Sequence, residues 1–277
     1  MLTNVKPPRN RGSAPPRSAL SWWGCFAILG AFAALLANPA NADELTGRDV
    51  IRRMEAVRTR GDGAAKRYVF SMVDRTGATT TRTVTTYRKR CGAIARDLVL
   101  MHDPPDLAGS AVLTHTHPDR APDMWLYLPE LGRVRQLNAF AQGDSLLGSD
   151  VSYSDLAPIP VDLRTHRLLR QTSVDDAEAY VVESTPTLPE RYSRIVTWVS
   201  KQFFLPVRLR YYDRQGALLK TGEVDDIRHV QGIPTTASLS VTNHQRQHRT
   251  DVKLLDAEYD APLPCSQFTK RYLRRSR

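Results

Sequence analysis

His115 and His117 lie two residues apart in "AVLTHTH", and His102 is close by in the chain. On a strand this spacing puts both rings on one face. A metal site there needs a third protein ligand, with Asp119 and Asp123 the nearest candidates. His244 and His248 have the i, i+4 spacing of a helix but fall in sequence that reads as a strand or hairpin. The pairs Asp175/Asp176 and Asp225/Asp226 are adjacent, so on a strand their carboxylates point to opposite faces and do not share a proton. There is no G-x-S-x-G, H-E-x-x-H, P-loop or Rossmann glycine pattern. The expectation is a protein with no catalytic residue, no metal and no cofactor.

The densest run of short polar side chains is "GSDVSYSDL", residues 148–156. Gly148 suits a tight turn. Ser149, Asp150 and Asp155 can accept from nearby backbone N–H groups and cap short helices. The run sits in a 22-residue stretch, 139–160, where strand alternation fails and Phe140, Leu146, Leu147 and Tyr153 are scattered among acids, glycines and prolines. A connection this long is functional or has short helices of its own. It reads as a loop fixed by Gly148, Ser149, Asp150 and Asp155; the default is that structural role alone, and its functional version is a lid that carries Leu146, Leu147 and Tyr153 inward.

Around this loop the periodicity is that of strands. "TGRDVIRRMEAVRTRG" (46–61) is the clearest helix, with Thr46 and Asp49 spaced for a capping box and Val50, Met54 and Val57 forming one apolar stripe. After Gly63 the period changes to two, and strand-like runs separated by turns continue to about residue 259. The count is about eleven strands, mainly antiparallel, in one domain. The end of the chain, "FTKRYLRRSR", has five basic residues and no acid, and reads as a flexible basic tail, residues 266–277.

The first residues are basic, "CFAILGAFAALLA" (25–37) is an apolar run too short to span a bilayer comfortably, and Ala40-Asn41-Ala42 has the small residues of a signal-peptidase site. Residues 1–42 are therefore expected to be a signal peptide, with export to the periplasm. The chain has three cysteines. Cys25 precedes the apolar run, where no lipobox would put it. Cys91 and Cys265 are left free to bond in an oxidising compartment. Their geometry is open at this level. The net charge is +10 over the whole chain. That suits acidic partners such as lipid headgroups as well as a solvated arginine-rich surface, while export without a recognition motif argues against nucleic acid.

"DMWLYLPELGRVRQLN" (123–138) poses the structural question. Met124 to Leu128 are apolar or aromatic on both faces of a strand, so both faces need covering. Either one face lines a hydrophobic chamber, or the chain's own helix and loops cover both. Trp125 and Tyr127 are one pair of candidates for the chamber, and Met124, Leu126 and Leu128 are the other.

"DPPDLAGSAVL", "MWLYLPELGRVRQL", "LLGSDVSYSDL" and "YSRIVTWVSKQFFLPVRLRYYDRQGALLK" occur in an order and spacing that resembles the bacterial outer membrane lipoprotein-sorting protein family, which is LolA-like and related to the carriers LolA and LolB and the sensor RseB. The resemblance covers about 43–265. It implies an α+β fold: an open, unclosed, curved β-barrel with helices over the concave face. It also implies a periplasmic monomer that carries lipid or lipoprotein acyl chains towards the outer membrane, or accompanies an inner-membrane exporter. The alternative in the same family is an RseB-like module that binds a protein partner without transport. Candidates for the lipid cavity are Trp125, Tyr127, Phe140, Leu146, Leu147, Tyr153 and Trp198.

Overall fold

The computed structural model describes residues 45–139, 141–156 and 160–274. The expected signal peptide, 1–42, and Phe140 lie outside the described residues. No helix among the described residues is long and apolar enough to cross a membrane.

The chain begins with helix α1, Gly47–Arg58, started by the expected capping box: Asp49 N–H donates to Thr46 Oγ1, and the Asp49 carboxylate accepts from Thr46 N. Six strands follow as a meander: β1 Gly63–Val73, β2 Thr79–Cys91, β3 Ile94–Asp103, β4 Ala111–Thr116, β5 Asp123–Leu128 and β6 Arg133–Leu137. After the 139–160 loop, which holds the one-turn helix α2, Tyr153–Leu156, seven more strands run in sequence. They are β7 Arg164–Val174, β8 Ala177–Pro186, β9 Arg194–Ser200, β10 Pro206–Tyr212, β11 Leu218–Val230, β12 Ile233–Asn243 and β13 His248–Tyr259. A last short helix, α3 Lys270–Leu273, ends the described chain.

The thirteen strands form one antiparallel sheet in the order β6-β5-β4-β3-β2-β1-β13-β12-β11-β10-β9-β8-β7. The expected architecture of mainly antiparallel strands in an unclosed barrel is found, with thirteen strands in place of about eleven. Even β6, with five residues, pairs along its length with β5. The two meanders meet where β1 pairs β13, and β6 and β7 remain as edges.

Following the paired positions across the sheet separates its faces. Met124, Val112, Val99, Val84, Phe70, Val252 and Leu239 share one face through successive registers from β5 to β12. Lys220, Tyr211, Ile195 and Ser184 continue that face to β8. Both α1 and the 139–160 loop lie on it. Val50 and Ile51 of α1 pack on Val182 and Val199, while Leu146 and Tyr153 of the loop pack on the cluster around Phe70 and Met124. Across the mouth of this face, Ala121, Pro122 and Ala139 from the β6 side meet Leu163, Leu188 and Pro189 from the β7 side around one cavity. The sheet is therefore curled towards this inner face.

α1 crosses the hollow. Its first residue, Gly47, lies so close to β7 that a Cβ there would sit 2.6 Å from Leu168 N, so only glycine fits. At its other end the Arg58 carbonyl accepts from Arg88 Nη1 of β2 at 3.2 Å.

On the outer face the end of the chain is part of the fold. Phe268 and Leu273 are fully buried against Leu98, Leu113, Trp125 and Tyr127. Cys91 and Cys265 form a disulfide, with Cα atoms 6.0 Å apart. The basic tail expected to be flexible is thus packed as far as residue 274. Lys270, Arg271 and Arg274 stay exposed while two apolar anchors, Phe268 and Leu273, turn inward.

Candidate functional site

The two coverings answer the question of the doubly apolar strand. Met124 and Leu126 of β5 face the 139–160 loop, and Trp125 and Tyr127 face the C-terminal segment. Trp125 and Tyr127 are therefore not chamber residues: Lys270 Nζ lies 4.9 Å from the Trp125 ring centroid and His115 stacks edge-on against it at 5.0 Å. Trp198 is also on the outer face, clustered with Val181 and Val196 and lying under the Arg210 guanidinium at 5.2 Å. Alternation explains these corrections. In a strand with apolar residues on both faces, as in β5 and β9, which face is inside depends on the strand's partners, which the local sequence does not reveal.

Of the described cavity candidates, Leu146, Leu147 and Tyr153 belong to the inner face. They form the underside of a compact loop. Leu146 N–H donates to Val151 O at 2.7 Å, Ser145 and Ser152 form an isolated bridge, and Gly148 makes the turn at φ +91°. Ser149, 1% exposed, donates from Oγ to Leu146 O at 2.9 Å. Asp155 accepts from Ser152 N at 2.8 Å and from Ser152 Oγ at 2.6 Å, starting α2.

The loop is fastened to the sheet by two polar latches. In the first, Lys220 of β11, with a side chain 4% exposed, donates to Asp155 Oδ2 at 2.5 Å and to the Asp150 carbonyl at 2.8 Å. Tyr192 OH donates to Asp155 Oδ1 at 3.1 Å and lies 2.5 Å from Ser152 Oγ. Burial alone would push the Asp155 carboxyl up, but the Lys220 ammonium and the Ser152 hydrogen bonds hold it below its usual value. Burial and the nearby Asp155 charge push the Tyr192 phenol well up, so it stays a neutral donor. In the second latch, Asp150 N–H donates to Thr250 Oγ1 at 2.9 Å, and Asp150 Oδ2 meets Thr250 Oγ1 at 2.8 Å and His248 Nδ1 at 2.6 Å.

Ser152 beside Lys220, Nζ to Oγ 3.3 Å, has the composition of a nucleophile and base. Its geometry is that of a clamp. The Lys220 amine donates to Asp155 Oδ2, the Ser152 hydroxyl is spent on the same carboxylate, and Ser152 is 3% exposed. The histidines are likewise engaged structurally: His115 Nε2 meets Phe268 O at 3.0 Å, His117 pairs with Asp123 at 2.9 Å, and His102 meets Thr85 Oγ1 at 2.8 Å.

Lys220, Tyr192 and Thr250 were not singled out by sequence reasoning, and His248 was noted only for its spacing from His244, not as a partner of Asp150. A signal existed for the first: a lone lysine between "ALL" and "TG" in a strand is a charge that, once buried, needs a partner.

Under the loop the apolar space is filled by Leu146 and Tyr153, 2% and 6% exposed. What stays open is a cavity of about 110 Å³ at its flank, lined by Pro122, Gln142, Leu163, Leu188 and Tyr192 among others. Pockets that enclose drug-sized ligands have roughly 300–1,000 Å³, so a long acyl chain does not fit beneath the loop as it stands.

An open antiparallel half-barrel with a helix and a latched loop on its concave side defines the LolA-like class. The model of a protein family described as "Uncharacterized protein" matches residues 95–275, and the chain belongs to that family. Among solved structures it is similar to a DUF1329 family protein from Desulfovibrio piger, at 28% identity and a TM-score of 0.77 over 82% of this chain and 97% of that one. It is similar to a "putative outer membrane lipoprotein-sorting protein domain" from Vibrio parahaemolyticus, at 25% identity and a TM-score of 0.77 over 82% of this chain and 98% of the other. A LolA superfamily protein from Nitrosomonas europaea shares the fold, with 21% identity and a TM-score of 0.69 over 83% of this chain and all of that one. No curated protein matches the chain.

Proposed function

We propose that this is a periplasmic carrier of acyl chains, exported by way of residues 1–42, whose chamber the 139–160 loop closes. The observation that carries the reading is the construction of the loop. Its rim is held by polar latches, its underside is apolar, and the floor beneath it is the apolar cluster around Phe70, Val84, Val99, Val112 and Met124, with a cavity open at the flank. Displacing the loop would expose the floor around Phe70, Val84, Val99, Val112 and Met124 without breaking any pairing between strands.

Magnitudes allow the exchange. Freeing Leu146, Leu147, Val151, Tyr153 and Leu156 costs on the order of 10 kcal/mol, at ~2 for each side chain. An entering C16 chain contributes about 12 kcal/mol, at ~0.8 for each buried methylene. Terms this close give reversible loading, which a carrier requires. The reading includes no catalytic step.

The filled interior favours a second reading, an interaction module that binds a protein partner and never opens. One experiment separates the two: native mass spectrometry of protein from the periplasm, alongside a Leu146→Ser/Tyr153→Ser variant that weakens the underside of the loop. The carrier reading expects co-purified lipid, or uptake of added palmitate, in the wild type, with more in the variant. Folded preparations of both that take up no acyl compound would refute it in favour of the partner-binding module.

A further inference from the structure

Between the end of α1 and the 139–160 loop, the inner face has a cluster of charged side chains that neither latch uses. Lys66 of β1 and Arg88 of β2 lie on this face, since Lys66 is opposite Thr86 and Arg88 opposite Ala64. Arg58 comes down from the last turn of α1, and its carbonyl accepts from Arg88 Nη1. Tyr68 is the next inward residue on β1, and Tyr259 of β13 pairs with Ala64. Three cations therefore meet two carboxylates: Asp97, 2.6 Å from Arg88 Nε, and Glu55, 3.3 Å from Arg58 Nε.

The positive charge in excess is that of Lys66. Its Nζ donates to Tyr259 OH at 2.8 Å and lies 4.5 Å from that ring's centroid, and it has no carboxylate partner among the described residues. Burial, then Arg88 and Arg58, lower its amine to about 8. Arg58 Nη2 is buried with no hydrogen-bond partner. A half-buried lysine held against two arginines, beside an unsatisfied guanidinium N–H, is costly unless something anionic comes to it.

The neighbouring floor is apolar and not closed over. Leu254 pairs with Tyr68, Val224 with Leu239, and all four, with Leu209, are half-buried on the inner face. A row of apolar side chains thus leads across the sheet to a cationic end.

We propose that Lys66, Arg58 and Arg88 form an anion site that receives the phosphate or carboxylate headgroup of an acyl ligand whose chain lies along Leu254, Leu239, Val224 and Leu209. The inference rests on the carrier reading and names the ligand class: acyl compounds with an acidic head. Tyr68, neutral because burial pushes its phenol up, supplies a hydroxyl donor at the same place, while Tyr259 OH is engaged with Thr235 Oγ1 at 2.6 Å and orients Lys66 by accepting from Nζ. Bound anion restores the proton that Lys66 gives up above about pH 8, so affinity falls as pH rises through that value.

The test is isothermal calorimetry with three probes: palmitoyl lysophosphatidic acid, monopalmitoylglycerol and inorganic phosphate. They are measured on the full mature chain and on Lys66→Met and Lys66→Arg, each checked for folding by circular dichroism. The wild type and Lys66→Arg are expected to bind the lysophosphatidic acid at least tenfold more tightly than the neutral glyceride. Lys66→Met is expected to bind the two equally. Equal affinities in the wild type, or a preference unchanged in Lys66→Met, would overturn the anion site while leaving the carrier reading intact. Binding of phosphate that is lost in Lys66→Met, with neither acyl compound bound, would overturn the lipid assignment and the carrier reading together and leave a site for a free anion. Phosphate binding weaker than that of the lysophosphatidic acid, and lost in Lys66→Met, supports the proposal.

Discussion

The same strands, β3 to β5, are covered on both faces by other parts of the chain, and the two covers are built differently. The outer cover, residues 261–274, is tied covalently to β2 by Cys91–Cys265 and sinks Phe268 and Leu273 completely. The inner cover, residues 139–156, has no covalent tie. It rests on partly and fully buried apolar side chains and is held by the Lys220–Asp155 and His248–Asp150 latches. A disulfide holds whatever the local equilibrium, whereas a polar latch lets go when one partner changes or is competed for. On the carrier reading, the contrast makes the outer cover permanent structure and the inner one the part that moves.

The largest effect is expected from removing the staple. Cys91→Ala/Cys265→Ala opens a link between residues 174 apart, which loop-closure entropy values at about 5 kcal/mol. Urea unfolding should show that loss, and reducing the wild type should reproduce it. A change below about 1 kcal/mol would mean that Phe268 and Leu273 alone hold the outer cover, and the contrast between the covers would weaken.

Breaking the inner latch should cost less overall and act locally. Lys220→Met leaves the Asp155 carboxylate buried without its cation, a loss of about 3 kcal/mol by analogy with other buried pairs. Because α2 and the hairpin at 145–152 do not pair with the sheet, hydrogen exchange should speed up over 144–156 and stay slow in β1–β4. Exchange that rises across the whole sheet would show that the loop is core structure rather than a lid.

Much of this was legible beforehand, and the reasons differ from one element to the next. The capping box of α1 and the period-two runs were readable because they are local. The polar run 148–156 was readable as a fixed loop because serine and aspartate bond their own backbone. Its partners were not, since Lys220 and Thr250 are 65 and 100 residues away from the groups they bond. The faces of Trp125 and Trp198 were illegible for another reason: both strands have apolar residues on both faces, Met124/Leu126 against Trp125/Tyr127 in β5 and Ile195/Val199 against Val196/Trp198 in β9, so alternation gave no sign of inside or outside. The tail misled because its charges dominate its composition, while two apolar residues five apart decide its place.

The smallest effect expected is that of acid on the outer cover. His115 faces the C-terminal segment, with its Nε2 at 3.0 Å from Phe268 O, and burial lowers its pKa below the ordinary value of 6.5. The folded protein therefore binds fewer protons at this ring than the unfolded chain does below that pH. The contribution is fully present above about pH 6.5 and is lost as the pH falls, because protonation favours the unfolded state. His166 on β7, buried against Val161 O and lowered for the same reason, has the same sign but lies far from the tail. Thermal melts of the wild type at pH 7 and pH 5 should show lower stability in acid, and His115→Gln should flatten part of that slope while His166→Gln flattens another part. If His115→Gln leaves the slope unchanged, the ring does not discriminate between packed and released tail. The outer cover would then be indifferent to pH.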